Sequence, residues 1–214
     1  MKNLKVLILL LMSTVIIVGC NKDTVKQTST DKLNEKKEAI TKTQSTDTKT
    51  ASNNINNDTK LYKVEKVEKA AGKKGSPNLV WTENGKQVSI NDLKGKVVFV
   101  NMWATWCGPC IKEMPDLSKI SEELPADKFQ MIGINVFQQP GSKKVEDFLK
   151  TNPVSYTILD GNQEVVDAFG ESNGATIDAV PTSFIIDKTG NIAEVIVGGR
   201  KKDDFLKSIN KYLN

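Results

Sequence analysis

The stretch VVFVNMWATWCGPC, residues 97–110, places a largely apolar run rich in β-branched residues before two cysteines separated by glycine and proline. Residues 97–103 are apolar on both faces, the pattern of a central strand covered on both sides. A helix is expected from about 107 to 123, with Ile111, Met114, Leu117, Ile120 and Leu124 on its core side and Lys112, Glu113, Lys119 and Glu122 more exposed. Pro115 lies inside that helix, removes one intrahelical hydrogen bond and predicts a kink. Cys107 and Cys110 therefore sit at the mouth of a strand-to-helix junction, where unpaired N–H groups and the helix dipole favour negative charge. That setting stabilises a thiolate. Cys107, the more exposed, is the expected nucleophile, and Cys110, one turn deeper, is placed to resolve a mixed disulfide. Gly108 lets a substrate backbone approach closely, and Pro109 needs no N–H partner in a first helical turn.

Three other uses of a CxxC pair compete with this one. Zinc needs more ligands than the chain supplies: the third and last cysteine is Cys20, far from the pair, and there is no histidine. Covalent haem attachment needs histidine after the second cysteine, where Ile111 stands. An inert structural disulfide closing so short a loop would constrain little. The absence of histidine also removes imidazole acid–base chemistry and His-based triads. No metal and no cofactor beyond the cysteine pair is expected.

Outward from the motif, Asn84-Gly85 joins two short apolar pieces and signals an N-terminal hairpin. Downstream the pattern predicts a strand over 129–137, a helix over 142–151, a strand over 154–160 and a helix over 163–170 stopped by Gly170. A strand over 181–187, a turn at 187–190, a strand over 192–197 and an amphipathic helix over 201–213 close the chain. Strands separated by helices pair in parallel, whereas the last two, joined by a four-residue turn, must be antiparallel. The fold class is therefore α/β, a mixed central sheet flanked by helices, with one domain over 76–214.

Residues 1–19 carry Lys2 and Lys5 ahead of an apolar run from Val6 to Val18, the form of an export signal. Ile17-Val18-Gly19-Cys20 resembles a bacterial lipobox, which implies cleavage before Cys20 and its acylation. Two acyl chains on that cysteine suffice for stable anchoring where one is marginal. Residues 20–75 read as a polar, disordered tether. The segment 21–75, if flexible, has a root-mean-square span of about 40 Å. Leu61, Val64 and Val67 recur every third residue and allow a short helix ending at Gly72, although a solvated charged stalk fits equally. The net charge of +4 arises here: 21–75 holds thirteen lysines against eight acids, while 76–214 holds 15 bases against 18 acids. A net-acidic domain argues against nucleic-acid binding.

FVNMWATWCGPC together with the downstream AVPTSFIID (179–187) resembles the thioredoxin superfamily, and within it the extracytoplasmic TlpA- and ResA-like branch, over essentially all of 76–214. The resemblance implies a thioredoxin-like fold with an inserted βα unit at about 142–170. It implies a cis peptide before Pro181, which would bare the Val180 backbone to pair with a bound peptide. Cytoplasmic thioredoxins carry a buried aspartate where this chain has Asn101; TlpA- and ResA-like proteins are similar to this chain in having asparagine there and a glutamate at the position of Glu113. Spacing of i, i+3 puts Glu113 on the same helix side as Cys110 and makes it the expected manager of that cysteine's proton.

The function so implied is thiol-disulfide exchange on exported proteins at the extracytoplasmic face of the cell membrane. Its partners are disulfide-bearing substrates, a membrane electron donor of thiol-disulfide type, and membrane lipid through Cys20. Trp106, Gly108, Pro109, Val180 and Pro181 form the expected docking surface. Reduction is the preferred direction, since Gly-Pro between the cysteines resembles reducing thioredoxins. The rivals are a thiol peroxidase of redoxin type, whose Pro-x-x-x-Thr/Ser-x-x-Cys setting is absent before Cys107, and a non-enzymatic binding lipoprotein.

Overall fold

A computed structural model of the 214-residue chain describes residues 59–70 and 72–214. In order, the elements are β1 (Leu61–Lys63), β2 (Lys66–Glu68), β3 (Asn78–Glu83), β4 (Lys86–Ser89), a 3-10 turn (Ile90–Leu93), β5 (Val97–Trp103) and α1 (Gly108–Glu123). Then come β6 (Phe129–Asn135), α2 (Val145–Thr151), β7 (Thr157–Asp160), α3 (Gln163–Asn173), β8 (Thr182–Ile186), β9 (Ile192–Val197) and α4 (Lys202–Leu213). The main sheet has the order β1-β7-β6-β5-β8-β9, and a smaller sheet has the order β2-β3-β4. β1, β7, β6 and β5 run parallel, while β8 and β9 are antiparallel to their neighbours, so the sheet is mixed as expected.

All seven residues of β5 are buried, because each face of the strand meets its own core. Val97, Phe99 and Trp103 join Met114, Leu117, Ile120, Phe148, Phe205 and Ile209 from the helices α1, α2 and α4. Val98, Val100 and Met102 point the other way, toward Val165, Val166 and Phe169 of α3 and Leu79 and Trp81 of the small sheet. Each such large apolar side chain contributes about 1.5–3 kcal/mol when fully buried. Edge-on contact between Phe99 and Phe205, with ring centroids 5.3 Å apart, ties the strand to the C-terminal helix. The hairpin turns where its dipeptide predicts: Glu83 pairs with Lys86, and Asn84 and Gly85 take φ of 52° and 76°.

Several expectations are corrected. The fold does not begin at 76: Leu61–Lys63 lies beside β7 and Lys66–Glu68 beside β3, so 61–68 forms two strands instead of a helix or a free stalk. Val64, between them, is buried against the second core, which is why its spacing looked helical over so short a span. The division at residues 1–19 and the tether up to 58 lie outside the described residues. Gly170 does not stop α3. The helix continues to Asn173 and ends at Gly174 with φ 73°, while a Cβ on Gly170 would stand 2.9 Å from the Ala175 carbonyl oxygen. The strand read over 129–137 ends at Asn135, the helix read over 142–151 begins at Val145, and the strand read over 154–160 begins at Thr157. The inserted unit is present as α2, β7 and α3, with β7 extending the sheet beyond β6. Helix α1 runs through Pro115, and Glu113, expected toward solvent, is only 4% exposed.

Candidate active site

Cys107 is the N-cap of α1, with extended backbone, and its Sγ accepts a hydrogen bond from the Cys110 N–H at 3.2 Å. A bond from a helix-terminal N–H to sulfur is the interaction that favours a thiolate there once the disulfide opens. Cys107 and Cys110 are joined by a disulfide. Both side chains are buried, Cys110 completely. Pro109 occupies the first turn, as its missing N–H requires, and nothing lies within 4 Å of where a Gly108 Cβ would be.

The Val180–Pro181 peptide is cis, as expected. Cys107 Sγ lies 3.6 Å from the Val180 carbonyl oxygen, so residues 73 positions apart meet at the sulfur. The Pro181 carbonyl accepts from the Gly198 N–H at 2.8 Å, which fixes this loop to the end of β9. Trp106 adjoins the pair and is 42% exposed, yet its indole N–H donates to the Phe137 carbonyl at 2.8 Å. Trp106, Cys107, Gly108, Pro109, Val180 and Pro181 thus share one end of the molecule. Cys20 lies outside the described residues.

Glu113, one turn beyond Cys110, is held from below by β5. Asn101 Nδ2 donates to Glu113 Oε1 at 2.9 Å and to Ser183 Oγ at 3.0 Å. Asn101 and Ser183 face each other across the β5–β8 register, so the sheet places both. The other oxygen, Oε2, lies against the 199–200 loop, where a Gly199 Cβ would be 3.2 Å away. The Arg200 N–H approaches this carboxyl without completing a hydrogen bond of good geometry. Burial pushes the Glu113 carboxyl up to about 7, against the opposing pull of the Asn101 amide, the Arg200 N–H and the Arg200 charge. Beside it opens a cleft of about 420 Å³ bordered by Pro109, Glu113, Gly199 and Arg200. A buried carboxyl poised near neutrality, one helical turn after Cys110, has the protonation range of a general acid–base group.

Sequence reading missed Ser183, Gly199, Arg200 and Phe137. Ser183 lies inside the quoted AVPTSFIID stretch, two positions after the cis proline, and was recoverable from it. Gly198-Gly199 is the sequence signal for this close backbone approach.

The family model described as Redoxin matches residues 70–213. The chain is 33% identical over 141 residues to the thiol-disulfide oxidoreductase ResA of Bacillus thuringiensis (strain Al Hakam), covering 64% of this chain and 77% of that one. It is 30% identical over 150 residues to the thioredoxin-like protein YneN of Bacillus subtilis (strain 168), covering 70% and 84%. Among solved structures, the thioredoxin-family thiol:disulfide interchange protein from Chlorobium tepidum TLS superposes with a TM-score of 0.57 at 35% identity, over 68% of this chain and 99% of that one. The fold is thioredoxin-like, and the Cys107–Cys110 pair is the redox-active element of a thiol-disulfide oxidoreductase. The chain belongs to the redoxin family and is a ResA-like member of it.

Proposed function

We propose that the protein reduces disulfides of exported proteins, with Cys107 as the attacking sulfur and Cys110 as the resolving one. The Cys107 thiolate attacks one sulfur of the substrate disulfide, forming a mixed disulfide and releasing the other substrate sulfur as a thiolate that takes up a proton. Glu113 accepts the Cys110 proton. Cys110 then attacks Cys107 Sγ and expels the second substrate sulfur as a thiolate, which takes the proton back from Glu113, and the enzyme is left oxidised by two electrons. A membrane thiol-disulfide donor returns those electrons. The observation that carries this reading is the meeting of Cys107 Sγ with the Val180 carbonyl beside a cis proline, which offers a bound peptide a backbone partner at the reacting sulfur.

Anchoring through an acylated Cys20, and action outside the cytoplasmic membrane, complete the proposal. Parallel pairing of β1 with β7 and of β6 with β5 makes the chain enter the main sheet at the end opposite the one where α1 begins.

Trapping tests the chemistry. A Cys110→Ser variant, lacking the resolving sulfur, accumulates mixed disulfides with exported proteins, whereas Cys107→Ser accumulates none. Equal trapping by both variants contradicts the assigned roles. Peroxide consumption far above that of free thiol, without trapped protein, favours the peroxidase reading. Metabolic labelling with palmitate tests the anchor: label is retained by the wild type and lost in Cys20→Ser.

A further inference from the structure

Phe137 combines a bulky aromatic side chain with φ of 54°. L-residues rarely take left-handed backbone, and glycine or asparagine supplies most instances. Two other non-glycine described residues share it, Lys74 and Asn84, and the latter sits in the hairpin turn that calls for it. No hairpin explains Phe137. It lies just past β6, where the backbone leaves the sheet after the Val136 N–H has bonded the Trp103 carbonyl. Its ring is half-buried against the second core, so the side chain is held by packing while the backbone takes a rare conformation.

The consequence appears at the next atom. The Phe137 carbonyl receives the Trp106 indole N–H at 2.8 Å. A second tie runs nearby, from Thr105 Oγ1 to the Lys143 carbonyl at 2.9 Å. The intervening loop is cross-linked internally, since Ser142 Oγ bonds Gln138 Oε1 at 3.1 Å and the Gln139 carbonyl at 2.7 Å. Two consecutive residues before Cys107 are thereby fastened to the main chain of the β6–α2 loop. Trp106 is exposed, but its ring is not free.

We propose that Phe137 is a positioning residue for substrate docking. Its left-handed backbone aims the carbonyl at the Trp106 indole and fixes that ring as a flat wall beside Cys107, ready for an extended peptide with an apolar residue next to its disulfide. An ordinary negative φ would turn the carbonyl away. Fixing the ring before the substrate arrives removes an ordering cost from binding and leaves the sulfur chemistry untouched, so the effect falls on KM and not on kcat. The inference rests on the docking role given to Trp106 above.

Phe137→Asn and Phe137→Val, made in the full-length chain, separate backbone from packing. Asparagine tolerates the left-handed conformation and loses the apolar ring; valine is apolar and resists the conformation. Trp81 and Trp103 are 3% and 0% exposed, so the acrylamide-quenchable fluorescence reports Trp106 alone. The wild type and Phe137→Asn should show slow depolarisation of that component. Phe137→Val should show fast depolarisation and a KM for a disulfide-bearing protein raised about fivefold, with kcat within about twofold. Trp106→Phe, which keeps a ring and loses the N–H, should match Phe137→Val in KM. If Phe137→Asn is impaired more than Phe137→Val, packing is the operative property and the proposal is overturned. If Trp106→Ala raises KM and Phe137→Val does not, the positioning role alone fails. If Trp106→Ala leaves KM unchanged, the docking role fails and takes the proposal with it.

Discussion

A carboxyl buried beside a single well-formed amide donor is held more easily neutral than ionised, which makes Glu113 the pH-sensitive member of the site. Its value rises from 4.5 to about 7, so between those limits the folded state holds more protons than the unfolded one. The stabilisation is complete below 4.5 and is lost as the pH rises through about 7. At most about 3 kcal/mol is involved. Glu113→Gln in the oxidised protein should therefore gain stability relative to wild type between pH 4 and pH 8, read from urea midpoints. A constant difference across that range contradicts the burial account. Asn101→Ala removes the amide that holds the value down, so the pH–rate profile of disulfide reduction should move to higher pH. An unmoved profile would show that Glu113 does not govern the exchange. This residue was half legible in the sequence: the i, i+3 spacing from Cys110 gave its helix side, while the polar pattern of α1 put it in solvent. Only the sheet contact from Asn101 and the 199–200 loop, both distant in sequence, close over it.

At the scale of elements, β5 was readable because seven consecutive residues needed cover on both faces, and the hairpin because Asn-Gly admits few turns. The boundary at 76 was misplaced because strands of three residues, β1 and β2, are too short to show alternation. Their contribution is testable. Relative to a chain begun at 59, one begun at 76 uncovers the edge of β7 and loses Val64 from the second core. The shorter chain should melt markedly lower, and equal melting would contradict the pairing. Gly170 was read as a stop because glycine often ends helices, but here it admits the Ala175 carbonyl. Gly170→Ala should destabilise by about 1–3 kcal/mol through overpacking in chemical unfolding. Retained stability would mean that the α3–loop contact is loose.

Across the described residues, parallel strands bring the thiols to the end of the main sheet opposite the start of β1, while the loop before Pro181 meets the Cys107 sulfur and the Phe137 carbonyl holds Trp106. The cysteine pair and the cis proline were legible from their motifs; the Phe137 carbonyl was not, because a backbone group leaves no residue signature. The preferred reductive direction depends on the energy of the couple as a whole, since disulfide couples of this fold span about −270 to −120 mV. The decisive measurement is the reduction potential of the Cys107–Cys110 pair, equilibrated in dithiothreitol or glutathione buffers and followed by Trp106 fluorescence. A single two-electron transition near that of thioredoxin, about −270 mV, is the predicted result. A midpoint near about −120 mV, or no reversible transition, would contradict a protein that reduces its substrates.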